Sequence, residues 1–528
     1  MPFRLGTQIT QRELLLPWGH VRTGSEREEL FGPQFCVESG PGFEGSFLNW
    51  SLALRLAGWM LIALGAVQFL PLVLALVLGE PWLAFGLSAG FSIGVGTLGA
   101  LLVRGKSVRI RPRDGFVIVS GAWVVAALFG SLPYWLGGHL GVVDALFESM
   151  AGFTTTGSTT MTDVESAPRS LLLWRSLTQW IGGMGIVVFT IALMPILGIG
   201  GMQLFKAEVP GPVTEKIRPR VAQTARALWL IYVGLTGAEW IALMLAGMSP
   251  FEGLCHALTT LSTGGFSTRN GSIGSFDSPS IEWIVMFFML LAGMNFVLHY
   301  RVLTGRLAAV SRDAELRYFL SVVGLAILAI LIAFWGGRAV DQTVPMFRQV
   351  AFTVISIVTT TGYATVDFEP WPPLAHAVIL GLMALGAMAG STSGGVKSLR
   401  AILALRAVRN VFQSAGHRNA VQPPVRYGGR PVAPEVITSV WAFLAIFFGL
   451  AALMSLAVAA AGYGLGTAAS AGLTSLGNVG PGLGEIGPYD QFGHFPATLK
   501  IGFAFCMLAG RLELFTLLVL LSPGFWRR

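Results

Sequence analysis

The chain has 528 residues, of which 53% are hydrophobic and 12% charged, and its formal net charge is +8. A soluble domain carries about a quarter charged residues, so the composition excludes a soluble globular protein. It also turns the positive charge away from nucleic acid, because the basic residues cluster in short loops between apolar runs.

Residues 1–51 read as a cytoplasmic segment without a secretory signal, and the first apolar run begins near residue 52, too late and too long for a cleaved signal. From there, runs of about twenty apolar residues recur, each long enough to span a bilayer; 57–79 reads AGWMLIALGAVQFLPLVLALVLG. Ten spans are expected, near 52–79, 82–103, 116–137, 170–199, 223–247, 280–300, 317–336, 373–396, 436–461 and 497–522. Ten spans put both termini on one side. The segments 1–53, 104–113, 201–226, 301–317, 397–430 and the C-terminus hold 27 of the 35 lysines and arginines. That side is therefore expected to be cytoplasmic.

The connections after the third, fifth, seventh and ninth spans share one layout: a short helix-like stretch, a polar glycine-containing stretch, then the next span. They read VDALFESMAGFTTTGST, FEGLCHALTTLSTGGFS, FRQVAFTVISIVTTTGYAT and GTAASAGLTSLGNVGPG. Aligned on Gly157, Gly264, Gly362 and Gly480, they are spaced by 107, 98 and 118 residues. Such a period marks an internal repeat. Each unit is span, re-entrant hairpin, span, and all four start from the same side. The expected fold is an all-α polytopic membrane protein with four parallel helix–pore loop–helix repeats around a central ion path. The repeats are placed at 116–200, 223–300, 317–407 and 436–522, with 52–103 as an extra helix pair.

Non-helical backbone at membrane depth must be buried in protein or face water. Four equivalent hairpins meet that demand by converging on one axis, where their carbonyls can replace an ion's hydration shell. Glycine permits positive φ, threonine adds hydroxyl oxygens that do not ionise, and the carbonyl end of a short helix favours a cation. The alternative is a set of glycine-rich kinks with no ion; four segments in phase weigh against it.

At these residues the chain resembles the bacterial Trk/Ktr family of potassium-uptake proteins, over about 116–528. The extra N-terminal pair places it nearer the TrkH branch. The matching motifs are TTTGST at 154–159, STGGFST at 262–268, TTTGYAT at 359–365, NVGPG at 478–482, GSTSGGVKSLR at 390–400 and AGRLELFTLLVLLSP at 509–523. The resemblance implies a single-chain pseudo-tetrameric pore binding K+ at Thr155, Thr156 and Gly157; Ser262, Thr263 and Gly264; Thr360, Thr361 and Gly362; and Asn478, Val479 and Gly480. The glycine at 157, where sodium-preferring members carry serine, implies potassium. The fourth strand departs from the pattern, having no threonine. The resemblance also implies a gating loop at 386–395, GAMAGSTSGG, with Gly390, Ser391, Thr392, Gly394 and Gly395. Seven of those ten residues are Gly, Ser or Thr, poor material for a continuous helix; a small-residue packing face is the alternative. Arg511, in the last span, is implied to stand below the filter as an electrostatic barrier. A buried ion pair with Glu513 or Glu239 is the other reading. Lys397 and Arg400 are read as end-of-helix charges.

The family further implies a homodimer in the bilayer of the inner membrane and a separate TrkA- or KtrA-like nucleotide-binding ring. No nucleic acid and no organic cofactor are expected, and K+ is the transported ion. The function expected is gated potassium uptake driven by the membrane potential. The alternative, symport with protons or sodium, wants a titratable group that the filter residues do not offer. No His, Cys or carboxylate cluster supports an enzyme. Other signals are weaker. GLGEIG at 482–487 lacks the strand a dinucleotide site needs. Asn270 opens a glycosylation sequon without other secretory signs. Asp144, Glu148 and Glu252 are either cation attractors or structural pairs, and His256 and His299 are packing residues. Cys36, Cys255 and Cys506 form no metal motif or disulfide framework. The basic stretch 401–435 is a candidate for lipid or a regulatory partner.

Overall fold

A computed structural model of the chain describes residues 50–102, 112–192, 217–334, 343–415 and 424–526. The segment 1–49 with Cys36, and parts of the basic segments 104–113, 201–226 and 397–430, lie outside the described residues.

Two helices, Trp50–Leu78 and Leu83–Leu102, form the extra N-terminal pair. They meet through glycine. A Cβ on Gly58 would lie 2.6 Å from the Gly96 carbonyl oxygen, and one on Gly96 would lie 2.7 Å from that of Gly58. Small residues let two membrane helices approach this closely. A buried hydrogen bond from Ser88 Oγ to Gln68 Oε1, 2.9 Å, ties the pair again.

Four units of like construction follow. The first runs Pro112–Gly130, the short helix Val142–Phe153, an extended strand, and Arg169–Ala192. The second runs Ile217–Leu245, Pro250–Leu261, strand, Pro279–Gly293. The third runs Ala314–Phe334, Thr343–Val358, strand, Pro373–Leu385. The fourth runs Pro434–Ala460, Leu465–Gly477, strand, Ala497–Arg511. After the roles expected from the sequence, we call the four members of each unit the outer helix, pore helix, filter strand and inner helix. Proline at the first helical position starts several of these helices, where its missing N–H costs nothing. The pore helix at Pro250 adds a cap, Ser249 Oγ accepting from the Glu252 N–H.

Six helices among the described residues are long and apolar enough to cross a membrane, or eight if each of two bent pairs counts as one span. The other two expected spans are Arg169–Ala192, which carries Arg169 and Arg175, and the one that stops at Leu385. The inner helices correct the sequence expectation. Among the described residues the second and fourth are broken where none was expected, and the third is broken at the loop expected from its composition. The second bends by 101° between Gly293 and Phe296, and the fourth by 112° between Arg511 and Phe515. The first break is fixed by Asn295, whose side chain caps the next helix by accepting from the Val297 N–H at 2.8 Å. In the fourth, Glu513 and Leu514 both take left-handed φ, 55° and 58°. The third ends at Leu385 and restarts only at Ser398. One small strand pair, Arg426–Tyr427 with Arg430–Pro431, was not expected; Gly428 and Gly429 at positive φ make its turn, as a two-residue hairpin requires.

Candidate functional site: four strands in a closed cycle

The four filter strands share a backbone signature. Thr155, Thr263, Thr360 and Asn478 all sit at φ between 53° and 58°. Two residues later, Gly157, Gly265, Gly362 and Gly480 sit at φ of 82°, 76°, 81° and 108°. The hydrogen bonds agree: both Thr156 and Gly157 donate to the Ala151 carbonyl, both Gly264 and Gly265 to Thr259, and both Thr361 and Gly362 to Ser356. The register of the second strand is thus one residue later than the sequence alignment put it. Gly265, not Gly264, is the equivalent of Gly157. The doubled glycine in STGGFS hid the shift, because either glycine satisfies the motif.

In this register the strands close on one another. A Cβ on Gly157 would lie 2.1 Å from the Gly264 carbonyl oxygen, one on Gly265 1.8 Å from that of Thr361, one on Gly362 2.1 Å from that of Val479, and one on Gly480 2.7 Å from that of Thr156. Strand one meets two, two meets three, three meets four, and four meets one. Each glycine is required twice, by its positive φ and by the neighbouring carbonyl. Gly157, Gly265, Gly362 and Gly480 also line an open vestibule, together with Arg175, Asn270 and Asp490.

The side chains expected as ion ligands divide. The hydroxyls of Thr156 and Thr361 turn into the wall, bonding those of Thr154 at 2.8 Å and Thr359 at 2.9 Å. Ser262 Oγ donates to the Leu258 carbonyl and so caps its pore helix. Thr263 Oγ1 donates to the Ser262 carbonyl. Asn478 donates from Nδ2 to Thr156 Oγ1 at 3.0 Å and to the Met507 carbonyl at 2.9 Å. Asparagine tolerates the left-handed conformation better than most residues, and its amide ties strand four to strand one. What these residues present in common is backbone carbonyl.

Of the two readings of Asp144, Glu148 and Glu252, the structure shows structural pairs, whose partners the sequence did not reveal. Glu148, fully buried in the first pore helix, accepts from Thr159 Oγ1, the Thr160 N–H and Arg175 Nε, the last at 2.9 Å. Arg175 also donates to the Ser267 carbonyl at 3.1 Å and lies over the Phe266 ring at 4.1 Å. This buried pair links strands one and two. The only signal was an arginine and a glutamate at span depth. Asp144 and Glu252 are likewise paired, with Lys500 and Arg269. His256 is held at both ring nitrogens, by the Glu252 carbonyl and Ser267 Oγ, and His299 reaches the Leu291 carbonyl. Asn270, the sequon residue, donates to Asp163 and accepts from the Val164 N–H, joining the outer loops of the first two units.

The stretch 386–397, non-helical throughout, packs against the third strand and does not line the vestibule. It is a loop and not a helix-packing face. Gly386, Gly390, Gly395 and Lys397 take positive φ. Gly394 N–H donates to Thr360 Oγ1 at 2.7 Å, directly under strand three. Thr392 Oγ1 donates to the carbonyls of Leu261 and Ala292. Ser391 Oγ bonds the Met388 carbonyl and Ser393 Oγ within the loop. Glu315, at the foot of the third outer helix, accepts from the Ala389 N–H at 2.7 Å. Arg511 is buried and donates to the Thr392 carbonyl at 2.7 Å and the Gly182 carbonyl at 3.0 Å. No carboxylate pairs with it among the described residues: Glu513 is taken by Arg400 at 2.6 Å, and Glu239 has no hydrogen-bond partner. Lys397 is buried too, its Nζ on Ser393, so it is part of the loop and not a solvated helix end.

Residues 88–527 match the family described as "TrkH: Cation transport protein". The chain belongs to this family. It is an ion-transport membrane protein and not an enzyme. It is 37% identical over 478 residues to the Trk system potassium uptake protein TrkH of Salmonella typhimurium, covering 90% of this chain and 98% of that one. It is 38% identical over 486 residues to TrkH of Halomonas elongata, covering 91% and 100%. The crystal structure of the potassium transporter TrkH from Vibrio parahaemolyticus superposes with a TM-score of 0.83 at 33% identity, over 91% of this chain and all of that one.

Proposed function

We propose that this chain is the pore subunit of a potassium-uptake system, a single-chain pseudo-tetramer whose four filter strands pass K+. The closed cycle of glycine-to-carbonyl contacts carries the reading. It brings one carbonyl from each strand to the same level, the arrangement that replaces a hydration shell. The carbonyl ends of four pore helices meet there, which favours a cation. The relatives named as potassium uptake proteins favour K+ as that cation.

Transport runs down the electrical gradient. One inward positive charge gains about 2.3 kcal/mol per 100 mV, enough to accumulate K+ without ATP chemistry in this chain. The loop 386–397 is the gate, and Arg511 is the barrier that holds it: the guanidinium sits under the strands with its charge unmatched by a carboxylate. The resemblance favours a homodimer in the inner membrane with both termini cytoplasmic, opened by a separate nucleotide-binding ring.

The test is complementation. Bacteria lacking potassium-uptake systems, expressing this chain, are expected to grow at limiting K+, with Rb+ uptake that collapses when the membrane potential is discharged. Growth only with an added Na+ or H+ gradient at zero potential would replace the passive reading with symport.

A further inference from the structure

The closed cycle leaves one strand without a side chain in its wall. At the residue before the central glycine, strands one and three carry Thr156 and Thr361, whose hydroxyls bond back to Thr154 and Thr359. Strand four carries Val479. Strand two has Gly264, yet the space beside it is filled. A Cβ on Gly264 would lie 2.3 Å from Cδ, 2.4 Å from Oε1 and 2.8 Å from Nε2 of Gln179. Gln179 belongs to the first inner helix and is fully buried. Its Nε2 donates to the Gly264 carbonyl at 2.7 Å, and its Oε1 accepts from the Phe266 N–H at 3.1 Å. One amide thus brackets Gly265 from behind. The Gly264 oxygen it holds is the one that lies against Gly157 in the cycle.

We infer that Gln179 is the surrogate side chain of the second filter strand, a positioning residue that sets the Gly264 carbonyl and with it the discrimination between K+ and Na+. The inference rests on the ring reading above. Its chemistry is specific. Holding both a carbonyl and an N–H from one side-chain carbon needs a donor and an acceptor together, which a neutral carboxamide supplies. The carbonyl keeps a second lone pair for an ion. No charge is added to the wall. Asparagine, one methylene shorter, cannot reach from the same backbone position. Strand two differs from its counterparts in this: among the described residues, the carbonyls of Thr156, Thr361 and Val479 accept no hydrogen bond. Gln179 therefore anchors the strand that its own sequence leaves loosest, glycine following glycine.

The test reads ion binding in the full chain, purified in detergent, from the rise in unfolding temperature with K+ or Na+ at constant ionic strength held with choline. Gln179→Met keeps the volume and removes both hydrogen bonds. It is expected to lower the ratio of K+ to Na+ affinity about tenfold, equivalent to about 1.4 kcal/mol. Gly264→Ala, whose methyl evicts the amide, is expected to lower it similarly. The pair Gln179→Ala with Gly264→Thr returns a hydroxyl side chain to the wall from the strand itself, and is expected to recover most of the native ratio. Two independent losses would instead compound. If both single variants keep the native ratio, or the pair is worse than either, Gln179 is only a packing residue and the inference falls while the ring stands. If the native chain itself binds the two ions equally, the ring reading falls and takes the inference with it. Should Gln179→Met not purify folded, Gly264→Ala and the compensated pair decide the matter alone.

Discussion

Gly362→Ala puts one methyl group against the Val479 carbonyl oxygen. The built Cβ lies 2.1 Å from that oxygen and 2.8 Å from Cδ of Pro481, where real contacts do not fall below 3.0 Å. The carbonyl must retreat by about 0.9 Å, because the other atoms in the way are backbone and a proline ring. The residue must also hold φ near 81°, which costs a non-glycine residue about 1–2 kcal/mol. A retreat of that size removes one of four carbonyls from the common level. The expected result is at least a tenfold loss of K+ over Na+ preference, about 1.4 kcal/mol, with folding retained. The neighbours give a graded series. Gly265→Ala, against an oxygen at 1.8 Å, should be at least as damaging, and Gly480→Ala, with 2.7 Å available, the mildest. Gly324→Ala, in the third outer helix with nothing within 4 Å, is the control. It should leave selectivity alone and stabilise the helix by roughly 0.5–1 kcal/mol. The assay is competition of Na+ against Rb+ uptake in cells, with surface expression measured. A flat series, or one in which Gly324→Ala is as harmful as Gly362→Ala, refutes the ring geometry.

Other perturbations follow from the supports. Arg175→Leu strands the Glu148 carboxylate in a buried site and should destabilise the protein by about 3–5 kcal/mol, whereas Arg175→Leu with Glu148→Gln should regain much of that loss; thermal unfolding of the purified chain measures both. Arg511→Ala frees the carbonyls of Thr392 and Gly182 and should raise unstimulated ion flux; a fall in flux with normal folding would make Arg511 a strut instead of a barrier. Asn478→Gly keeps the left-handed backbone but loses the bond to Thr156, and Asn478→Val loses both. Valine should therefore be the worse by about 1 kcal/mol or more in stability, and the reverse order would refute the wall role of the amide.

The four-unit plan was legible because TTTGST and TTTGYAT each contain one glycine after a polar run, and NVGPG repeats a glycine at the matching place. The fold needs that glycine for two physical reasons that no other residue meets. STGGFS misled for the same cause: with two glycines, sequence alone does not say which one carries the positive φ. The threonine hydroxyls looked like ligands because type was visible and direction was not. Hydrogen bonds such as Thr154 to Thr156 are set by the strand's turn. Breaks in the inner helices were legible at 386–395 from composition. They were less so at 293–296, where a lone Asn295 cap acts with the bond from the Phe296 N–H to the Gly390 carbonyl, and at 511–515, where LEL carries no breaker and Arg400 holds Glu513. Gln179 was hidden because its partners, Gly264 and Phe266, lie in the second unit, and the Glu148–Arg175 pair because its members lie on two different helices of the first.

The most direct test of the account is ion flux into liposomes that hold the purified full chain, driven by imposed gradients of K+, Rb+, Na+ or Li+ with no proton gradient. The account expects K+ and Rb+ to enter well ahead of Na+ and Li+, in proportion to the imposed potential, and faster with Arg511→Ala. Equal entry of Na+ in both native and Arg511→Ala liposomes would contradict it.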